Sequence, residues 1–430
     1  MTATTRLTGR YLAEYARRPI NLVLLVLVPL IFVFLTSGTI ADFADALGFA
    51  GDPAKLVAPT AGWAAAFIAG VAGFFHVLGS RDADRRLAAA GMGARRIVAG
   101  RLASGISLAL LAAAAAIVAL VLRTGLTDPG RAIAGTVMYA VLYLGIGIAI
   151  GALVRSDVNG SLVVIFIWMF DVFLGPAMTG SDIWITRVFP SHFVTLVMLD
   201  TPSGHSGPIG DLGLALVWVL GSLALAAVVF SASTSTRKIK SQTRRTWAGW
   251  NRLKAGLRYG MRDYRRNVAM WVLLVVLPVL FISLSFYITP NDPTPVELTE
   301  NGLTAIRTLS LANVHGAIMV PITLAFLAGL SGLFVVQGSL EADARLAIAG
   351  FRPREILSSR LGTIVVASLL ATAIALGVTA LDFAPESWGW FALGSVLVAV
   401  TYGMIGVLVG VLFGRLGGLY VMFLVPFIDV

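Results

Sequence analysis

SRDADRRLAAAGMGARRIVAGRL, residues 80–102, returns as SLEADARLAIAGFRPREILSSRL at residues 339–361. The two stretches align without a gap and share twelve of 23 positions, among them Asp84/Asp343, Arg86/Arg345, Leu87/Leu346, Gly91/Gly350, Arg95/Arg354, Ile97/Ile356 and Arg101/Arg360. Self-similarity on this scale marks a duplicated structural unit and takes precedence over any single motif. The flanks repeat too. Glu14-Tyr15-Ala16-Arg17 ahead of Val23-Leu24-Leu25-Val26 and Pro29 matches Asp263-Tyr264-Arg265-Arg266 ahead of Val272-Leu273-Leu274-Val275 and Pro278, and Phe170-Asp171-Val172 is echoed by Ile428-Asp429-Val430.

Between these landmarks the chain is apolar. Of 430 residues, 58% are hydrophobic and 13% charged, too much apolar surface for one water-facing globule, so lipid must serve as part of the solvent. Eleven runs suit helices crossing a hydrocarbon layer of roughly 30 Å. They lie near 20–41, 57–79, 100–122, 132–153, 160–178, 211–231, 268–289, 314–338, 361–381, 390–413 and 417–430. The first is too long for a signal peptide and lacks a small-residue cleavage site, so it is expected to stay in the mature protein. The absence of cysteine removes disulfides and thiolate metal sites.

A net charge of +10 would suit nucleic acid, but its distribution argues otherwise. Sorting the basic residues by the loops between spans places 27 of the 32 on one side, while Lys55, Arg123, Arg131, Arg187 and Arg307 face the other beside acids such as Asp42, Asp292, Glu297 and Glu386. By the positive-inside rule the rich side, with the N-terminus, is cytoplasmic. The charge is topological and predicts no nucleic-acid partner.

Six spans precede the second copy, so both copies enter the membrane the same way round, in a parallel repeat. The expected division is a first transmembrane half over 1–231, a Ser/Thr-rich then basic cytoplasmic linker over 232–250, and a second half over 251–430 that lacks a sixth span and so implies a fragment or a separate completing segment. The fold class is an all-α integral membrane protein of two parallel six-span half-repeats, the second truncated. Each half opens on a basic amphipathic stretch, Leu7, Tyr11 and Tyr15 beside Arg6 and Arg10, and Leu253, Leu257, Met261 and Tyr264 beside Lys254 and Arg258, which predicts an elbow helix in the headgroup plane.

The repeated loop holds acid-before-base pairs four apart, Asp82 to Arg86 and Glu341 to Arg345, the order that supports a helix, and Gly91 and Gly350 fit its end. Matched Asp84/Asp343, Leu87/Leu346 and Arg95/Arg354 are more than topology needs, and point to a short helix lying along the membrane as a docking surface.

Elbow, six spans per half, a helical loop after span two with acid, Arg-Leu, Ala-Gly and Ile-x-x-x-Arg, and a fifth span broken at Gly175-Pro176 together resemble the type-2 ABC transporter permeases. Two halves in one chain are similar to actinobacterial antibiotic and multidrug exporter permeases of the tetronasin type. The resemblance implies coupling helices at 81–98 and 340–357, engaged by two ATP-binding ABC subunits (a homodimer or a pair) that carry the ATP and Mg, with Asp82, Asp84, Arg86, Leu87, Gly91, Arg95, Glu341, Asp343, Arg345, Leu346, Gly350 and Arg354 at the coupling surface. It further implies export of a hydrophobic or amphipathic small molecule across a bacterial plasma membrane.

Two repeat-related carboxylates, Asp171 and Asp429, lie inside spans, where an acid is costly and faces a bundle interior or water. With Trp168 and Phe170 they are candidates for the substrate pathway, or structural acids bonded to neighbouring spans. Ile183 to Leu199, interrupted by Pro190, predicts a re-entrant pair of short helices at the outer mouth. The glycines of span four (Gly145, Gly147, Gly151) and span ten (Gly403, Gly406, Gly410) predict close helix packing. No catalytic site is expected: there is no G-x-x-x-x-G-K-[ST] phosphate cradle, no metal-ligand spacing among the four histidines, and no histidine after His315 to activate Ser331 in Gly329-Leu330-Ser331-Gly332. The alternative is an ion-coupled secondary transporter of the major facilitator type, also a parallel six-plus-six repeat. The doubled elbows and the long coupling loop weigh against it.

Overall fold

Backbone groups immersed in lipid must close their hydrogen bonds within the segment, which long apolar runs do as helices. The computed structural model describes residues 3–46, 53–126, 128–179, 184–199, 208–233, 268–289, 293–300, 303–348 and 351–428, with Arg258 and Asn291. It divides into two compact units, Met1–Ser241 and Gln242–Val430, the division falling within the Ser/Thr-rich basic stretch. The second elbow apart from Arg258, and Gly350 and Asp429, lie outside the described residues.

The first unit runs α1 (Ala3–Ala16), α2 (Pro19–Ala46), α3 (Pro53–Leu78), α4 (Arg81–Ala89), α5 (Ala94–Arg123), α6 (Pro129–Leu153), α7 (Asp157–Phe173), α8 (Pro176–Thr179), a 3₁₀ turn (Trp184–Val188), α9 (His192–Leu199) and α10 (Pro208–Ser233). Burial sets the order of layers. In α3 89% of the apolar stretch is buried and in α10 only 22%, so α3 is central and α10 peripheral. The buried residues of α10, Asp211, Ala215, Val219, Ser222, Ala226 and Phe230, recur every three or four positions, one helical stripe against α6 and α9. The elbow α1 packs on α5, where Leu7 and Tyr11 would touch any Cβ on Gly100 at 3.2 Å.

α3 and α6 cross at backbone contact. A Cβ on Gly147 would overlap the Gly70 carbonyl, and one on Gly151 would come within 2.6 Å of the Phe74 carbonyl oxygen. Glycine at the crossing is what lets two helices approach this closely.

The second unit runs α11 (Val268–Pro278), a π turn (Val279–Ser283), α12 (Leu284–Ile288), strands β1 (Pro293–Glu300) and β2 (Leu303–Ser310), α13 (Leu311–Ile348), α14 (Pro353–Asp382) and α15 (Trp388–Ile428). Its core joins Leu274, Ile282, Val320, Leu324, Ala371, Ala375 and Ala399. Here α13 and α15 make the glycine crossing, Gly406 against the Gly329 carbonyl and Gly332 against that of Gly403. The offset that relates Ser80 to Ser339 also relates Gly70 to Gly329 and Gly147 to Gly406.

Three features differ from the sequence reading. Eight helices, not eleven, are long and apolar enough to cross a membrane among the described residues. α7 has 17 residues and the apolar part of α11–α12, Trp271–Tyr287, is equally short, while the runs 390–413 and 417–430 join in α15. That join bends at Gly414, whose φ of 69° belongs to the left-handed region that glycine enters without a Cβ clash. Second, the chain is not entirely helical: β1 and β2 pair antiparallel from Pro293↔Ser310 to Glu300↔Leu303, bracketing Asn301-Gly302, a sequence that favours hairpin turns. Third, the counterpart of α4 in the second unit is not a separate helix, because α13 runs unbroken to Ile348. Gly79-Ser80 and Gly338-Ser339 are identical, so the break has another cause. Arg81 donates a hydrogen bond from its guanidinium to the Ala152 carbonyl at the end of α6, drawing α4 aside, and the matched residue is Leu340.

Candidate functional site

The local chemistry of α4 fixes both its ends. Ser80, at φ −109° and ψ 0°, ends the approach from α3, and two acids, Asp82 and Asp84, occupy the first turn, where free N–H groups favour negative charge. Gly91 closes the far end at φ 89°, and Met92 N–H donates to the Leu87 carbonyl at 3.0 Å. Phe351 N–H donates to Leu346 in the same way at 3.0 Å.

Asp84 turns inward and is fully buried. Arg101 of α5, 2% exposed, grips it with two parallel bonds, Nε to Oδ2 and Nη2 to Oδ1, both 3.0 Å. Tyr11 of the elbow donates its hydroxyl to Asp84 Oδ1 at 3.4 Å and Ser80 donates to Oδ2 at 3.3 Å. The Arg101 guanidinium carbon also stands 3.6 Å over the centre of the Tyr11 ring, and Nη1 is 3.9 Å from Glu14. Burial, then the Asp84 charge, pushes the Tyr11 phenol up to about 12, so it remains a donor throughout the neutral range. One carboxylate therefore ties together α1, α4 and α5. Behind it, His76 Nε2 and Ser104 Oγ pair at 2.8 Å.

In the second unit Arg360 grips Asp343 Oδ1 through Nε at 3.1 Å and Nη2 at 2.7 Å, and Ser339 donates to Oδ2 at 2.9 Å. This pair is less enclosed, with Arg360 16% and Asp343 23% exposed.

Of the twelve residues named for coupling, Asp82, Arg86, Gly91, Arg95, Arg345 and Arg354 are exposed, and Leu87 and Leu346 half-buried. Asp84 lies beneath the surface, held by Arg101, and Asp343 takes the same place half-buried. The side chain of Glu341 lies outside the description. Arg101, Arg360 and Tyr11 were not singled out for this role. The signal was available for the arginines, since acid and base recur at the same separation in both copies.

Asp171 is 1% exposed. Tyr143 of α6 donates to its Oδ2 at 2.5 Å, and the backbone N–H of Ser191, just ahead of α9, donates at 3.0 Å to Oδ2 and 3.2 Å to Oδ1. Every residue of α9 is buried. Its far end is held by Arg131, which donates to the Val197 carbonyl at 3.1 Å, and its middle by the Tyr139–Thr195 hydroxyl pair. Trp168, 4% exposed, donates to the Trp63 carbonyl at 2.9 Å and meets Phe67 edge-on at 5.3 Å, while Phe170, half-buried, stacks on Phe166. Asp171 and Trp168 thus fasten α7 to α3, α6 and α9. Asp171→Leu should strand the Ser191 N–H and lower the melting temperature by the equivalent of roughly 2 kcal/mol, with Asp171→Asn retaining most of it. An Asn variant that melts normally but changes the half-saturation for a cationic compound would place Asp171 in the pathway.

Among the described residues no three His, Asp or Glu side chains gather as a metal site. What the fold and site define is a multi-pass helical membrane protein with a short charged helix anchored at one end of its first bundle. Residues 82–233, from α4 through α10, match the family model described as "ABC-2 family transporter protein". This third of the chain is therefore similar to the membrane component of ABC-2 transporters. No curated protein matches the chain.

Proposed function

We propose that the chain is the permease of an ATP-driven exporter, moving an amphipathic or hydrophobic small molecule out of the cytoplasm while two separate ATP-binding subunits dock on residues 81–98 and 340–357. The carrying observation is the two-sidedness of α4. Its inner side is clamped by the fully buried Asp84, and its outer side presents Asp82 and Arg86, one turn apart, to solvent. A helix held this way passes a push on its outer face to α5 and to the elbow rather than absorbing it. The family match over 82–233 starts at this helix and supports the reading.

The test is co-purification with the ATP-binding subunit, then comparison with the double variant Arg86→Glu and Arg345→Glu. Both arginines are exposed, so melting should stay within about 2 °C of the parent. Transport-coupled ATP hydrolysis should fall by about tenfold or more, because reversing charge at a docked surface costs several kcal/mol. Full transport without any ATP-binding partner would refute the exporter reading and favour an ion-coupled carrier.

A further inference from the structure

The α4 end of the first unit carries arginines that neither the Asp84 clamp nor the exposed docking face uses. Arg81 and Arg85 lie one turn apart on α4 and reach the ends of two spans. Arg81 donates to the Ala152 carbonyl of α6, and Arg85 Nη2 donates to the Ser233 carbonyl of α10 at 3.4 Å. In both, the Nε–H is buried with no hydrogen-bond partner among the described residues. Exposed Arg155 follows Ala152 by three residues. Burial first, then the charges of Arg85 and Arg155, lowers the pKa of Arg81, with Asp82 opposing. Three arginines thus gather here, with Asp82 and, two residues after Arg155, Asp157 as neighbouring carboxylates. The shared helix-loop plan does not require it, since Leu340 and Ala344 stand at the matching positions of the second copy.

An apolar surface leads to this cluster. On α10 the outward residues Leu216, Val217, Leu220, Leu225 and Val228 are 43% to 65% exposed, and Leu153 beside Ala152 is 66% exposed. From Leu216 to Val228 a helix rises about 18 Å, close to the roughly 15 Å depth of one leaflet's hydrocarbon. We propose that this is a binding site for an anionic phospholipid, its acyl chains along α10 and its phosphate oxygens accepting from Arg81, Arg85 and Arg155. Guanidinium groups with spare N–H donors match phosphate geometry, and basic clusters at the membrane ends of helices recruit anionic headgroups. The inference stands apart from the exporter reading and needs only the membrane location.

The experiment uses the full chain in neutral detergent micelles, titrated with phosphatidylglycerol, with phosphatidylcholine or with inorganic phosphate, reading melting temperature and bound lipid by native mass spectrometry. Phosphatidylglycerol should be retained and raise the melting temperature by several degrees, phosphatidylcholine and phosphate by about one degree or less. Arg81→Leu with Arg85→Ala, the residues of the second copy, should weaken phosphatidylglycerol binding by about tenfold or more, each basic group near an anionic headgroup being worth several-fold. Arg10→Ala with Arg96→Ala, which removes equal charge from exposed positions at this end, should leave binding unchanged. Equal lipid retention by the Arg81/Arg85 variant, equal loss in the Arg10/Arg96 variant, or an equal shift from inorganic phosphate would each overturn the site.

Discussion

Arg101→Ala is expected to be the most damaging single side-chain truncation in the first unit, lowering stability by roughly 3–5 kcal/mol. It strands the carboxylate of Asp84, fully buried and left with only the Tyr11 and Ser80 hydroxyls. Neither carries charge. In a bundle of this size the loss reads as a fall of roughly 10 °C in melting temperature. Asp84→Ala should cost as much, since Glu14 at 3.9 Å is 59% exposed and compensates the buried guanidinium poorly. The double variant Asp84→Leu with Arg101→Met removes both charges and should melt above either single variant. Arg360→Ala supplies the internal contrast. Its pair is partly solvated, so the expected loss is about 1 kcal/mol. Arg101→Ala melting within 2 °C of the parent would show that the clamp does not close.

The contrast between Asp82 and Asp84 shows where sequence reasoning stops. Two residues apart on a helix, they differ by about 200° in direction, so one faces solvent when the other faces in. Which is which depends on how α4 settles on α5, and that is decided partly by Tyr11, 73 residues away. The spans were readable because hydropathy is a local sum, and the glycine crossings because small residues in register have few other uses in a bundle. For Asp171, its position in the chain indicated depth but not partners: its acceptors are filled by a backbone N–H at the start of α9, a donor that any helix start exposes and no residue type advertises. The hairpin was legible and missed. Val296-Glu297-Leu298-Thr299 alternates ahead of Asn301-Gly302, a strand-and-turn pattern that hydropathy and charge alone pass over. The continuity of α13 was not legible, since the same Gly-Ser pair precedes a break in one unit and none in the other.

Gly147→Ala and Gly406→Ala should each lower stability by about 3 kcal/mol or more, although each adds a single methyl group. The added carbon would land on the carbonyl oxygen of Gly70 in one unit and of Gly329 in the other. A backbone oxygen already bonded within its own helix cannot rotate aside, so the helices themselves must part, and the contacts along the whole crossing loosen with them. Gly135→Ala separates this effect from simple crowding. Its Cβ would also overlap a neighbour, but that neighbour is side chain, the Cγ and Sδ of Met198, which can turn to another rotamer where a backbone oxygen cannot, and the loss should be smaller, about 1–2 kcal/mol. Gly221→Ala, with open space around it on α10, should be neutral or gain up to about 1 kcal/mol from helix propensity. Melting curves for the four variants therefore predict an order, with Gly147→Ala and Gly406→Ala lowest, Gly135→Ala between, and Gly221→Ala at or above the parent. If Gly147→Ala melted with Gly221→Ala, α3 and α6 would have to cross at side-chain rather than backbone distance.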